Sequence, residues 1–535
     1  MPIASFLCIA LIVVPWLWPF TSGPLAPVQP YLVSVATAAT LLACLGRGGG
    51  DGRAVVARGW LAAALVSSGI GLLQYFNLEG ALYPWVNGAE PGTAFGNLRQ
   101  PNQLATLLVI GLWALRWLLL RGGIGRGVAI WMAALMSTAL AATASRVGLV
   151  EFLALGALAL WWAARAGGRW RVAALAVLGA LALYALAAVA LPWALQASEG
   201  AAGRDLVERL RSAESTCGSR FILYSNVLHL ISLKPWTGWG WGELAYAHYN
   251  TLYDGPRFCH ILDNAHNLPL HLAVELGVPV AVLVCGATSW LIWRGKPWAE
   301  TDPTRQLAWG VLLAIGLHSL VEYPLWYGPF QIAVGLCIWM LWATPRRPVV
   351  AGSYQPDSNA ALPASSSASA AGPSPAGVLR MAIAAAMLAA VAYAGWDYHR
   401  IGQIYLPAEQ RSAWYRDDAM GNAQKSWLFA DSVRFAEVTT RPVTRENAPW
   451  MLLESLKALH FSPEPRVITK VIESATVLGR EDLAIAHLAR FTAAFPDRYQ
   501  QWSDDNRRMA ERVTEFLQGG ASVASADSAA SAASQ

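Results

Sequence analysis

The sequence predicts an all-α polytopic membrane protein with about 11 transmembrane helices, a large loop after the seventh, and a helical soluble domain after the last. Three observations predict it. Hydrophobic residues make up 55% of the 535-residue chain and charged residues only 14%, against roughly 25% charged in an ordinary soluble chain. Such a composition cannot clothe a water-facing surface. Apolar runs long enough to cross a hydrocarbon core, about 20 residues, recur through the first 395 positions. Basic residues, nearly all Arg, gather in every second short loop. The net charge of only +5 gives no sign of a nucleic-acid partner.

The apolar runs lie near 4–21, 30–46, 57–76, 102–120, 127–144, 147–164 and 172–194, then 267–293, 306–323, 326–343 and 379–395. The first run lacks a basic leader and a small-residue cleavage site, so no cleaved signal peptide is expected. Arg47, Arg53 and Arg58 lie between spans 2 and 3; Arg116, Arg121 and Arg126 flank the next basic loop; Arg165, Arg169 and Arg171 the third. Arg294, Lys296 and Arg305 follow span 8, and Arg346, Arg347 and Arg380 flank the segment before span 11. By the positive-inside rule these loops are cytoplasmic, which puts the amino terminus inside and everything after span 11 outside.

The expected organisation is therefore seven transmembrane helices over 1–195, an outer loop over 196–266, and transmembrane helices 8–10 over 267–345. A Ser-, Ala- and Pro-rich linker over 346–378 reads as disordered and cytoplasmic. Span 11 (379–395) leads to a soluble helical domain over 396–518, whose periodicity shows in Leu452, Leu453, Leu456 and Leu459. An Ala/Ser tail over 519–535 reads as disordered. Cys8, Cys44, Cys285 and Cys337 fall in spans and act as small hydrophobes. Cys217 and Cys259 share the outer loop, where an oxidising compartment makes a disulfide between them plausible.

Polar groups concentrate at the outer ends of the spans: Phe95 to Gln103, Thr143 to Arg146, Cys217 to Arg220, Asp263 to Asn267, and His318 to Pro324. A transporter would carry them nearer the midplane, in broken helices. Charges at one interface favour a site working on something presented at the outer leaflet. Arg146 interrupts an otherwise apolar stretch on the side where basic anchors are not expected. It reads either as a snorkelling helix-end Arg or, with Arg220 and Arg99, as part of a basic pocket for a phosphate or pyrophosphate. Asp263 and Asn264 read as an N-cap that places His266 in a first helical turn, able to accept a proton near neutral pH. His271 with Glu275, and His318 with Glu322, are i,i+4 pairs. They suit a divalent metal or, without one, interhelical hydrogen bonding, and the second reading is preferred. The segment from Pro235 to Gly242, with Tyr246, Tyr249 and Tyr253, reads as an aromatic surface for sugar rings or for the headgroup level.

The order and shared outer location of these motifs resemble the O-antigen ligase and polymerase superfamily of bacteria, more narrowly the protein O-oligosaccharyltransferases that glycosylate pilins. The resemblance rests on Gln100-Pro101-Asn102, Ser145-Arg146, the Pro-x-x-Gly-x-Gly run from Pro235 to Gly240, Asp263 to Asn267, Glu322 to Leu325, and the helical domain after the last span. It implies a multi-pass protein of the bacterial inner membrane with a periplasmic site. It implies also a glycan donor linked to undecaprenyl pyrophosphate and transferred whole to a Ser or Thr hydroxyl of a pilin-like acceptor, without metal or cofactor. His266 would be the essential histidine, Tyr323 and Gln100 or Gln103 further catalytic residues, and Arg146 and Arg220 holders of the pyrophosphate. Asn267, His318 and Glu322 would support them. Attack on an anomeric carbon needs a proton acceptor and a stabiliser for departing pyrophosphate, and one His with several Arg supplies both. The rival functions are an O-antigen ligase acting on a lipid A–core sugar, a glycan polymerase, and a polysaccharide transporter.

Overall fold

In the computed structural model, residues 3–44, 52–166, 170–199, 217–346 and 375–532 are described. The described residues form helices α1 (Ile3–Leu17), α2 (Val28–Cys44), α3 (Gly52–Tyr75), α4 (Pro101–Leu120), α5 (Arg126–Ala142), α6 (Arg146–Arg165) and α7 (Trp170–Glu199). They continue as α8 (Arg220–Leu233), α9 (Leu244–Asn250), α10 (Leu268–Leu276), α11 (Val278–Gly295), α12 (Pro303–Ser319), α13 (Gly328–Ala343) and α14 (Pro375–Gly402). The rest are α15 (Ala419–Ala423), α16 (Ala430–Thr440), α17 (Ala448–Phe461), α18 (Pro465–Val477), α19 (Glu481–Ala494) and α20 (Pro496–Ala532). Among them, α3, α4, α6, α7, α11 and α14 are long and apolar enough to cross a membrane, and α1, α2, α5, α8 and α13 are shorter apolar helices. This is a multi-pass helical membrane protein.

Among the described residues helix overlaps each expected apolar run, and one run is broken. The span over 267–293 is two helices, α10 and α11, parted at Gly277 with φ +86°. A Cβ there would collide with the carbonyl of Trp236, and one on Gly238 with the carbonyl of Glu275. Two backbones thus meet where only glycine fits. The break is fixed by a contact distant in sequence and invisible in the apolar run itself.

The chain divides into two compact units. The first holds α1–α7, residues 266–271, and 280–429. Its helices pack through small residues, as membrane helices do: Gly111 faces Ala64, and Gly148 faces Ala105. Helix α4 runs antiparallel to α12, with Thr106 near His318 and Trp113 Nε1 donating to Gln306 O. It runs parallel to α6, with Asn102 near Ser145 and Thr106 near Glu151. At one end of this unit basic side chains cap carbonyls at the end of α13. Arg53 donates to Ala343 O at 2.6 Å, and Arg305 to Leu341 O and Thr344 O at 2.6 and 2.9 Å. Arg47, Arg169, Arg347 and nearly all of the linker lie outside the described residues.

The chain after α14 stays with the first unit. Helix α14 runs to Gly402, and residues up to Phe429 belong to the first unit. Asp397, 0% exposed, pairs with Arg400 and accepts from Ser426 Oγ at 2.8 Å, which folds the chain after α14 back onto it. The second unit unites 214–265 and 272–279 with the helices from α16 onward. The segment before α10 and the C-terminal helices, expected as separate, share one core. Tyr249 of α9 is buried with Met451, Leu459, Val471 and Phe491, and its hydroxyl lies 2.8 Å from Nδ1 of His487. Cys217 and Cys259 are disulfide-bonded, with Cα atoms 5.3 Å apart. Helix α20 runs on to Ala532.

Candidate functional site

The polar motifs of the first unit stand at the start of α4, the start of α6, the end of α12 and the turn before α10. Three non-glycine residues with positive φ mark these helix entries: Arg99 (62°), Ala144 (47°) and His266 (49°). Each sits two residues before its helix, at Pro101, Arg146 and Leu268. Left-handed backbone at non-glycine residues is uncommon and collects at functional turns.

His266 therefore precedes the helix and is not in its first turn. The capping residue is Asn267, whose Oδ1 accepts from Leu270 N at 3.0 Å, so Asp263 and Asn264 do not fill that position. Nδ2 of Asn267 donates to Leu320 O at 2.8 Å, tying the turn to the end of α12. Nδ1 of His266 lies 2.7 Å from Oε2 of Glu322. The Tyr323 ring stands edge-on to the imidazole, with centroids 5.0 Å apart, and Tyr327 stacks behind it at 6.0 Å. A carboxylate on Nδ1 fixes the ring's orientation.

A second cluster surrounds the start of α4. A cleft of about 730 Å³ is lined by Glu90, Thr93, Phe95, Arg99, Gln100 and Asn102 among others. Gln74, 0% exposed, shapes its wall by accepting from Phe95 N and Gly96 N at 3.1 and 2.7 Å. The fork of Arg99 is engaged with Pro19 O, Thr21 and Asn87, so it braces the rim. Gln100 Oε1 and Gln103 Oε1 have no hydrogen-bond partner. Gln100 lines the cleft, whereas Gln103 is 2% exposed beneath it. Asn102 Oδ1 accepts from Ser145 Oγ at 2.7 Å, and that oxygen accepts from Gly148 N at 3.0 Å, capping α6. Arg146 is the first residue of α6 and exposed. Arg220 begins α8, in the second unit, behind the Ser219 cap.

His318 and Glu322 do not present themselves as a pair. The side chain of His318 turns inward to Thr106, while Glu322 reaches His266. No group of three or more His, Cys, Asp or Glu able to hold a metal ion occurs among the described residues. Two residues at this end escaped the sequence reading, Thr106 and Glu151. A lone carboxylate in an apolar run was the available signal for Glu151.

Three family models match the chain in order: "Protein glycosylation ligase" over 94–119, "O-Antigen ligase" over 131–285, and "Virulence factor membrane-bound polymerase, C-terminal" over 306–510. A general O-oligosaccharyltransferase of Acinetobacter baylyi is 26% identical over 300 residues, 53% of this chain and 49% of that protein. The chain thus spans about half the length of the curated relative it matches. The first of these models covers Gln100–Gln103, the second Arg146 and His266, and the third Glu322 and Tyr323. Segment by segment, through the residues that build its polar end, the chain is similar to O-antigen ligases and protein glycosylation ligases.

Proposed function

We propose that this protein is an oligosaccharyltransferase that moves a glycan whole from undecaprenyl pyrophosphate to a Ser or Thr hydroxyl of a periplasmic, pilin-like protein. The observation that carries it is the His266–Glu322 pair beside Tyr323. The acceptor hydroxyl oxygen attacks the anomeric carbon, its proton passes to Nε2 of His266, and the carbon–oxygen bond to the pyrophosphate breaks with inversion. Undecaprenyl pyrophosphate leaves as the anion. Glu322 holds the imidazole and stabilises its protonated form. Arg146, at the N-terminus of α6, adds a planar fork to a helix end that already favours anions. Lipid pyrophosphate is a good leaving group, so no metal is invoked. The site then faces the periplasm from the inner membrane, as the distribution of basic loops supports.

The O-antigen ligase match over 131–285 favours a second reading, transfer to a lipid A–core sugar. One experiment separates them. The chain is co-expressed with a lipid-linked glycan pathway, candidate pilins and a complete lipid A–core. Glycan mass on intact pilin is expected; glycan on lipid A alone, or on neither, overturns the proposal.

A further inference from the structure

Beneath the polar end of the first unit, one hydroxyl joins three helices. Thr106 Oγ1 of α4 lies 2.9 Å from Glu151 Oε1 of α6 and 2.8 Å from His318 Nδ1 of α12. All three residues are 0% exposed. The far atoms, Glu151 Oε2 and His318 Nε2, have no hydrogen-bond partner. Thr106 Oγ1 is also 3.1 Å from Asn102 O. A hydroxyl donates only once. Whichever of the three it serves, at least one proton on Glu151 or on Nδ1 of His318 must point at Thr106. The three side chains therefore act as one unit.

Such a cluster is a poor device for stability. Buried carboxyl and imidazole groups with unpaired atoms are costly, and apolar side chains of similar volume are often neutral or better. Its position suggests another use. Thr106 is four residues along α4 from Asn102, Glu151 five along α6 from Arg146, and His318 four before Glu322, about 6–8 Å at the helical rise. Each member lies a turn or so beneath a residue of the candidate site. Helices α4 and α6 are tied again above it, where Asn102 accepts from Ser145 Oγ, and Glu322 N donates to His318 O at 2.9 Å, which fixes Glu322 one turn beyond His318. A slide of one residue, about 1.5 Å, along any of the three helices breaks a contact of 2.8 or 2.9 Å.

We propose that Thr106, Glu151 and His318 form a buckle that holds α4, α6 and α12 in axial register, making Thr106 and Glu151 positioning residues for chemistry at His266. The role rests on the transferase reading, and its test has an arm that does not. Thr106→Val keeps the shape and removes the hydroxyl; Thr106→Ser keeps the hydroxyl. The first lowers kcat about 100-fold, the effect of misplacing reacting groups by about 1 Å, at unchanged KM for the lipid-linked donor. The second stays within about threefold of the parent. In the absence of any substrate, acylation of His266 by diethylpyrocarbonate, read by peptide mass spectrometry, slows in Thr106→Val and Glu151→Gln and not in Thr106→Ser. The apolar double variant Thr106→Val with Glu151→Leu melts no lower in detergent than Thr106→Val and remains as slow. A Thr106→Val protein with the parental kcat and acylation rate overturns the buckle. So does activity that follows Tm across the set. If the parent transfers no glycan while the acylation pattern holds, the transferase reading fails and the buckle stands. If the parent transfers glycan and acylation is the same in all variants, the reverse holds.

Discussion

Nδ1 of His266 lies 2.7 Å from Oε2 of Glu322, and neither residue belongs to a regular helix. One precedes α10 with φ +49°, the other follows α12. The pairing joins two turns 56 residues apart, and the Tyr323 ring closes one side of it. His266→Ala is expected to abolish glycan transfer at normal membrane abundance, because in the proposed reaction the ring accepts the hydroxyl proton. Glu322→Gln keeps a hydrogen-bond acceptor for Nδ1 and loses the charge that stabilises the protonated ring. A fall in kcat of about 100-fold is expected, within the range of general-base catalysis. Single-turnover assays on purified protein decide it, and parental kcat in Glu322→Gln would exclude the pair from the reaction.

Asn267 does two things at once. Its side chain caps α10 through Leu270 N and bonds Leu320 O. Replacement by Ala should cost about 1 kcal/mol from the lost cap and loosen the turn that carries His266. Asn267→Asp retains the cap and loses the donor to Leu320. The aspartate variant should therefore recover melting temperature more fully than kcat. Equal recovery of both would make the residue a cap only.

How much of this was legible in the sequence depends on how far the causes lie apart. Transmembrane helices are written locally, and the apolar runs place α4 and α6 within a residue or two of the observed bounds. The residues of the polar end were legible too, since Arg146 and His266 stand out against apolar neighbours. Their pairings were not. Thr106 meets Glu151 across 45 residues and His318 across 212, and nothing in a single sequence records such distances. The Gly277 break likewise answers to Trp236, and the union of the segment before α10 with the C-terminal helices to Tyr249 and His487.

The second unit should weaken in acid. Burial, aided by Arg490, draws His487 down to about 4, and burial with Arg257 draws His248 to about 3. Both are depressed below the ordinary value of about 6.5, so the folded unit holds them neutral and the unfolded chain takes up the protons. Their contribution is fully present above about pH 6.5 and is lost as pH falls towards about 4, at up to about 1.4 kcal/mol per pH unit for each. Protease resistance of the segment after Phe429, in the intact protein, should fall across that window. His487→Gln should flatten the fall relative to the parent at each pH. An identical slope would show that His487 does not drive it.

Arg146 offers a fork where Lys would offer a point charge. If it holds the donor pyrophosphate, Arg146→Lys should weaken binding of undecaprenyl pyrophosphate about tenfold or more while leaving the fold intact, since the side chain is exposed. Titration of purified protein with that lipid measures the effect directly. Unchanged affinity in Arg146→Lys and Arg146→Ala together would return this arginine to the role of a helix-end anchor.

The two glutamines flanking Pro101-Asn102 separate by burial. Gln100 lines the cleft with an unpartnered Oε1, whereas Gln103 is 2% exposed, its own Oε1 also unpartnered. Both oxygens are buried, but the half-buried Gln100 side chain borders the cleft and can turn to meet a substrate hydroxyl, whereas a side chain sealed on all sides meets nothing from outside. Gln100→Ala should therefore lower kcat/KM for transfer with little change in melting temperature. Gln103→Leu, which replaces a buried amide by an apolar group of similar size, should melt at or above the parent and transfer at close to the parental rate. The paired measurements, Tm in detergent and initial rate with lipid-linked donor, assign the two positions. If Gln103→Leu loses activity at parental Tm while Gln100→Ala keeps it, the buried glutamine is the one that reaches substrate, and the cleft at the start of α4 is not where the glycan is bound.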